Sequence, residues 1–288
     1  MTHSKWILMA AGLALLTACS SGDDSSAAPE KEDTEEVATD TAGGNTEENS
    51  EDATDETTDE TAIEEADEEP EEVVETEPLY RVNPVNASVE PIADANAEAV
   101  LLTIDDAPDK HGVAMAETLK ELGVPAIFFV NGHFLDTDEE KESLKKIHEM
   151  GFAIGNHTYS HPNLKNIPEE QQREEIIALS DLVEEIIGER PQFFRAPHGV
   201  NTDFSRALVE EEGMVLMNWT FGYDWEQQYM DADALADIMV NTELMRNGAN
   251  LLMHDRAWSA EALPAIVQGL NDKGYDFIDP NDIEGVQE

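Results

Sequence analysis

The sequence predicts an α/β fold built on a parallel sheet, and three observations carry the prediction. From residue 99 onward, short strand-like runs alternate with longer segments of helical period. The runs are near-continuously apolar, as in Val100-Leu101-Leu102-Thr103-Ile104, which is how a strand buried on both faces reads. Gly123, Gly151, Gly188, Gly213 and Gly274 each follow a helical segment, the usual C-terminal stop. Strand–helix alternation implies parallel strands joined by covering helices.

Taken in order, the lead-in over 79–98 reads as irregular and extended, interrupted by Pro84 and Pro91. Strand-like runs follow at 100–104, 126–130, 152–155, 192–194, 214–219, 250–253 and 275–278. Between them lie helix-like segments near 112–122, 138–150, 168–187, 203–212, 232–246 and 260–273. In the longest, Glu175, Ile176, Leu179, Leu182, Val183 and Ile186 share one face at helical spacing. Seven strands can close as an incomplete barrel or remain an open sheet, and periodicity does not choose.

The formal charge of -49 over 288 residues is unevenly spread. Residues 1–5 carry one Lys and no acid; 6–16 (WILMAAGLALL) form an uncharged apolar run, too short to span a bilayer but suited to a signal-peptide core. Small residues then precede Cys19, the single cysteine of the chain. The stretch Leu16-Thr17-Ala18-Cys19-Ser20 resembles the bacterial lipobox, in which the Cys is acylated and becomes the new N-terminus. Residues 1–19 are therefore expected to be a lipoprotein signal peptide, with Cys19 the lipidation site. One cysteine allows no intramolecular disulfide.

Residues 20–78 hold about 25 acids against the single Lys31 and no aromatic residue. So little apolar surface does not offset the entropy of ordering a backbone, and a disordered acidic linker is expected. As a flexible coil it spans roughly 40–45 Å, and self-repulsion extends it. The remainder, 79–288, is expected to be the globular domain. It too is acidic, which disfavours nucleic acid, whose phosphates a binder must neutralise, and docking on anionic lipid by charge. The expected location is extracytoplasmic: lipid-anchored to the cell membrane and facing the cell wall.

Polar groups gather at the carboxyl ends of the predicted strands, where barrels and open α/β sheets place their chemistry. The first strand runs into Asp105-Asp106-Ala107-Pro108. Adjacent ionised carboxylates repel, so a paired site needs a cation or a shared proton; an Asx-type turn is the plainer alternative. The third runs into Asn156-His157-Thr158-Tyr159-Ser160-His161. Two histidines four apart share a face if the segment makes a helical turn. With a carboxylate from another strand end they make a two-His, one-carboxylate set that leaves positions open for water and substrate. Arg195, ending the fourth strand, is suited to orienting a carboxylate through its fork of donors, or to a surface ion pair. Asp224 lies beside aromatic surface, Trp219 and Trp225, which ordinary loop packing also gives. His254 closes the sixth strand, as a structural histidine or, being one of five such polar strand ends, an acid/base candidate.

TIDDAP, HTYSH, RAPHG, YDW and LMH, in that order, resemble the five signatures of the polysaccharide deacetylase family, carbohydrate esterase family 4 or the NodB homology domain. The resemblance covers roughly residues 99 to 280. It implies a distorted (β/α)7 barrel and a metal-dependent hydrolase that removes N-acetyl groups from amino-sugar polymers, so that 79–288 is a catalytic domain. Carried over position by position, it implies that Asp106, His157 and His161 are metal ligands, that Asp105 is the general base and that Arg195 holds it. It makes His254 the general acid, with Asp224 its orienting partner. Trp225 and Leu252 would line the slot for the acetyl methyl, and the backbone N–H of His198 would help hold the oxyanion. The implied cofactor is a divalent ion, zinc by default, with cobalt, nickel or iron also suited to two imidazoles and a carboxylate. The implied partner is an N-acetylated glycan, peptidoglycan or a chitin-like polymer. A catalytically silent envelope lipoprotein that binds metal and glycan is the alternative; it has no need of Asp105 and His254. Three residues depart from the family pattern: Ala107 for a usual Gly, His198 for a common Tyr, and Phe221 where an Asp often stands.

Overall fold

The structure, a computed structural model, describes residues 77–286. The expected signal peptide, its Cys19, and all but the last two residues of the 20–78 linker lie outside the described residues, as do 287–288.

The lead-in is more ordered than its sequence suggests. β1 (Tyr80–Val82) and β2 (Val89–Pro91) pair antiparallel as a hairpin. Its turn is built by two asparagines. Asn83 Oδ1 accepts from the Val85 N–H at 2.8 Å, and Asn86 Oδ1 accepts from the Ser88 N–H at 3.0 Å, the local bonding that makes Asn a turn residue.

The sheet begins with β3 (Ala99–Ala107), followed by α1 (Gly112–Leu122), β4 (Ile127–Val130), α2 (Asp138–Glu149), β5 (Ala153–Asn156) and α3 (Glu169–Ile187). Then come β6 (Phe193–Phe194), α4 (Asp203–Glu211), β7 (Val215–Leu216), β8 (Phe221–Gly222), α5 (Ala232–Asn241), β9 (Asn250–His254), α6 (Ala257–Asp272) and β10 (Asp276–Phe277). Seven parallel strands run in the order β7-β6-β5-β4-β3-β9-β8, and β10 pairs with the start of β3. The sheet curls into a half-barrel covered by helices, the distorted (β/α)7 architecture expected.

Of the predicted run 214–219 only Val215–Leu216 is strand, and β8 follows beyond its end. After Leu216 the chain leaves the sheet, the Asn218 carbonyl accepts from Arg195 at 3.1 Å, and pairing resumes at Phe221 beside Leu251. The seam between the two ends of the sheet lies here. α5 also stops at Asn241 rather than continuing to 246. The Thr242 hydroxyl bonds Tyr223 at 2.6 Å and the Leu244 N–H at 3.3 Å, a side-chain competition that ends a helix.

Period-two alternation assigns β3 to two cores. Val100, Leu102 and Ile104 face the covering helices with Phe128, Leu119 and Leu263. Leu101 faces a second cluster with Phe129, Phe193 and Met217, to which Tyr80, Val89 and Ile278 also belong. Thr103 and Asp105 share the parity of Leu101, so the strand's pleat directs Asp105 to that same face at its carboxyl end. Each fully buried Leu or Phe here is worth about 1.5–3 kcal/mol over an exposed one, and the site residues stand on that support.

Candidate active site

Asp105 and Arg195 form the floor. Arg195 is fully buried and Asp105 nearly so, and Nη1 donates to Asp105 Oδ1 at 2.6 Å. The guanidinium also donates to Thr103 Oγ1 at 2.9 Å and to the Asn218 carbonyl, and it lies 4.2 Å over the Phe129 ring. Burial pushes the Asp105 carboxyl upward, and the Arg195 charge pulls it back. Gly155 permits this stack, since a Cβ there would collide with the Phe129 ring.

Asp106, His157 and His161 meet beside that floor, with one ligand atom from each lying within 4.8 Å of the others. The Nε2 atoms of His161 and His157 stand 3.6 and 3.9 Å from Asp106 Oδ1. The two histidines converge by a route other than the helical turn anticipated from their spacing. Residues 157–161 are a loop in which Thr158 and His161 take left-handed backbone, φ 68° and 59°. Asp106 and His198 are also left-handed, so four of the six non-glycine residues of positive φ among those described sit at this site. Such conformations persist only where surrounding contacts hold them. Here Asn131 donates to the carbonyls of His157 and Thr158. Asn156 Oδ1 accepts from the Thr158 N–H, and buried Glu175 takes the Ser160 N–H and hydroxyl. Glu175 is therefore on the buried face of α3 for a polar reason.

The three side chains fit a divalent cation. His157 Nδ1 engages the Arg195 carbonyl at 2.7 Å, which leaves Nε2 facing the carboxylates, and such a bond on the far nitrogen is how ligating histidines are oriented. Burial, with the charge of His161 next, pushes His157 down to about 3; burial also lowers His161. Burial thus favours the neutral imidazole, the form that ligates, and two nitrogens with one oxygen suit zinc and its neighbours.

His254 and Asp224 form a second pair. Asp224 Oδ1 bonds His254 Nδ1 at 2.7 Å, and Oδ2 accepts from the His254 N–H at 2.6 Å and the Ser259 hydroxyl at 2.7 Å. Burial alone would lower the imidazole's pKa, but the bond to Asp224 and its charge outweigh that and raise it. Trp225 stands edge-on to the His254 ring, 5.5 Å between centroids, and Leu252 lies on the adjoining wall of a cavity of about 380 Å³. Gly222 lets the Trp225 ring lie close over the backbone, where a Cβ would meet it at 2.8 Å.

Every ion-site and acid–base residue named from sequence borders this cavity, apart from Arg195 and Asp224, which support it from beneath. The departures resolve differently. Ala107 ends β3 buried and without positive φ, because the left-handed residue is Asp106. Phe221 is buried beside the Tyr223 ring at 5.9 Å, in the helix-facing core. The His198 ring, by contrast, stands 4.9 Å from that of His161, so its side chain joins the site along with its main chain. Sequence reasoning missed Asp255 and Arg256. Asp255 accepts the N–H groups of Lys110, His111 and Gly112, tying β9 to the loop after β3, and Arg256 donates to Asp106. Their only signal was to follow His254 directly.

The parallel half-barrel thus gathers a buried carboxylate–guanidinium pair, a His–Asp pair and a cluster able to hold an ion at its strand ends. The chain belongs to the polysaccharide deacetylase family. That family's profile matches residues 93–217. A Bacillus cereus peptidoglycan-N-acetylglucosamine deacetylase is 30% identical over 190 residues, 64% of this chain and 67% of that one. The peptidoglycan-N-acetylmuramic acid deacetylase PdaC of Bacillus subtilis is 27% identical over 219 residues, 75% of this chain and 44% of that one. Among solved structures, a CE4 family pseudoenzyme from Bacillus anthracis superposes with a TM-score of 0.59 at 26% identity, covering 65% of each chain.

Proposed function

We propose that the protein is a metal-dependent N-deacetylase that hydrolyses N-acetyl groups of a cell-envelope glycan, peptidoglycan or a related N-acetylglucosamine polymer. The observation that carries this reading is the meeting of two separately supported acid–base groups and an ion site in one cavity. Asp106, His157 and His161 would hold the ion, zinc by default. Bound there, it would polarise the acetyl carbonyl and make hydroxide available near neutral pH.

The remaining work falls to the chain's own atoms. Asp105 Oδ1 is held by Arg195, which leaves Oδ2 to take the proton of the attacking water. The His254 Nδ1 is held by Asp224, which leaves Nε2 to protonate the departing nitrogen; an amide anion does not leave unprotonated. The His198 N–H donates to the developing oxyanion, and Trp225 and Leu252 exclude water around the acetyl methyl. Similarity to proteins that act on peptidoglycan supports the glycan substrate.

The silent-binder alternative draws on one observation, the pseudoenzyme among the similar structures. Acetate release by metal-loaded full-length protein from N-acetyl-chitooligosaccharides and wall glycan separates the two readings. Release that is abolished in Asp105→Asn is expected; glycan binding without release from any substrate establishes the alternative. The lipid anchor at Cys19 and the 20–78 tether complete the proposal by placing the domain at the membrane beside the wall. Loss of lipid labelling in Cys19→Ala is the expected result.

A further inference from the structure

We infer that Arg256 is a positioning residue for the ion site, holding Asp106 so that a single carboxylate oxygen, Oδ1, is offered to the ion. This rests on the assignment of Asp106, His157 and His161 as ligands in the function proposed above. Arg256 Nη2 donates to Asp106 Oδ2 at 2.9 Å, while Oδ1 faces the His161 and His157 Nε2 atoms at 3.6 and 3.9 Å. The two oxygens of one carboxylate thus have separate duties. The guanidinium is itself held, since Nη1 donates to the Asp255 carbonyl at 3.0 Å. Asp255 is anchored in turn: its N–H donates to the Asp105 carbonyl at 3.0 Å, and its buried carboxylate takes the N–H groups of residues 110–112. Residues 254–256 therefore form a brace between β9, the end of β3 that carries Asp106 and the loop that follows it.

The brace also answers the repulsion expected of two adjacent carboxylates. Each has its own guanidinium, Arg195 for Asp105 and Arg256 for Asp106, on different oxygens and from different elements. Asp106 needs such a hold because its backbone is left-handed, φ 60°, a conformation that restricts an L side chain without fixing its carboxylate plane.

Geometry and charge predict opposite outcomes when Arg256 is removed, which makes the inference sharp. As a nearby cation, Arg256 repels a divalent ion, so by charge alone its loss tightens binding. As a positioning residue, its loss frees Asp106 to rotate and weakens binding, by about 10–100-fold for an outer partner of a ligand. Part of the Arg256 side chain is exposed, where Coulomb effects are screened, so geometry should prevail.

The test is competition of metal-free full-length protein against a chromophoric chelator for zinc and cobalt, with the visible spectrum of the cobalt form. The wild type should bind one ion, and His161→Ala should lose it. Arg256→Ala should bind about 10–100-fold more weakly, with an altered cobalt spectrum. Arg256→Lys, which can reach one oxygen but cannot fork to the Asp255 carbonyl, should recover part of both. Equal unfolding midpoints of the metal-free variants exclude a general loss of fold. Affinity in Arg256→Ala that is unchanged or tighter, with the wild-type spectrum, overturns the inference alone. Absence of binding by the wild type overturns the ligand assignment and the proposed function with it.

Discussion

The two sides of the cavity each present a carboxylate paired with a cation, and the pairs differ in material. Arg195 and Asp105 have side chains 0% and 2% exposed; burial lowers the guanidinium's pKa and Asp105 raises it back, on a group that starts far above neutral pH. The His254 side chain is 19% exposed, and its charge is removable. The difference teaches what each pair is for. The inner pair fixes a geometry: a guanidinium sandwiched on Phe129 and bonded to Thr103 and Asn218 leaves Asp105 little room to move. The outer pair sets a proton: Asp224 raises the pKa of a ring that burial alone would lower.

Breaking the inner pair gives the largest expected effect. Arg195→Met leaves a buried carboxylate unpaired, which costs about 3–5 kcal/mol, and a urea midpoint should fall accordingly while acetate release vanishes. Asp105→Asn keeps an oxygen acceptor for Arg195 but removes the base and the charge opposite the buried guanidinium, so it too should lower the urea midpoint. It should lower acetate release roughly 10²–10⁴-fold with the fold retained by circular dichroism. If both variants unfolded alike, the inner pair would be structural and the contrast with the outer pair would fail.

Breaking the outer pair should move a pH profile. In the proposed mechanism the acid, His254, must be protonated to act, so its raised pKa would extend activity toward alkaline pH. Asp224→Asn removes the charge and leaves burial to dominate, which lowers the ring's pKa. The alkaline limb of kcat/KM should therefore shift to lower pH, while the acid limb, set elsewhere, stays. An unmoved alkaline limb would remove His254 from the acid's role.

The ion site leans on the inner side of this comparison, because His157 bonds the Arg195 carbonyl and lies 3.5 Å from Asp105. Binding an ion there should stabilise the fold by about 2.7 kcal/mol at free metal one hundred times its dissociation constant. A chelator should remove that increment from the wild type and from Asp224→Asn alike, and have no effect on Asp106→Ala.

How much of this was legible in the sequence divides along the same physical line. β3 announced itself because its near-continuous apolar run is local, and the pleat that buries Leu101 on one face aims Asp105 to the same one. The helix stops at Gly123 and Gly188 were equally local, each a left-handed residue that only glycine adopts without strain. What stayed hidden was set from a distance. The early end of the predicted run 214–219, after Leu216, goes with a carbonyl, that of Asn218, which Arg195 claims 23 residues away along the chain. Arg256 reaches Asp106 across 150 residues, and no spacing rule encodes that. The histidine pair was found for its residue types, while the loop that makes it converge depends on Asn131 and Glu175 from other elements.

The smallest expected effect tests whether the inner side is as rigid as its contacts imply. Ala107 stands where a glycine is usual in the family, directly after the two carboxylates. If that turn needed a left-handed residue at 107, alanine would be strained there and Ala107→Gly would stabilise the protein. The structure places positive φ one residue earlier, at Asp106, and gives Ala107 a buried methyl in register with Val130. Glycine would then lose that packing and gain freedom in the unfolded chain, so Ala107→Gly should destabilise by about 0.5–1 kcal/mol. Acetate release should stay near wild type, because Asp105 is held by Arg195 rather than by the turn. A gain in stability on this substitution would mean that the backbone at 107 carries strain, and the inner side would be less settled than the contacts of Arg195 and Asp105 imply.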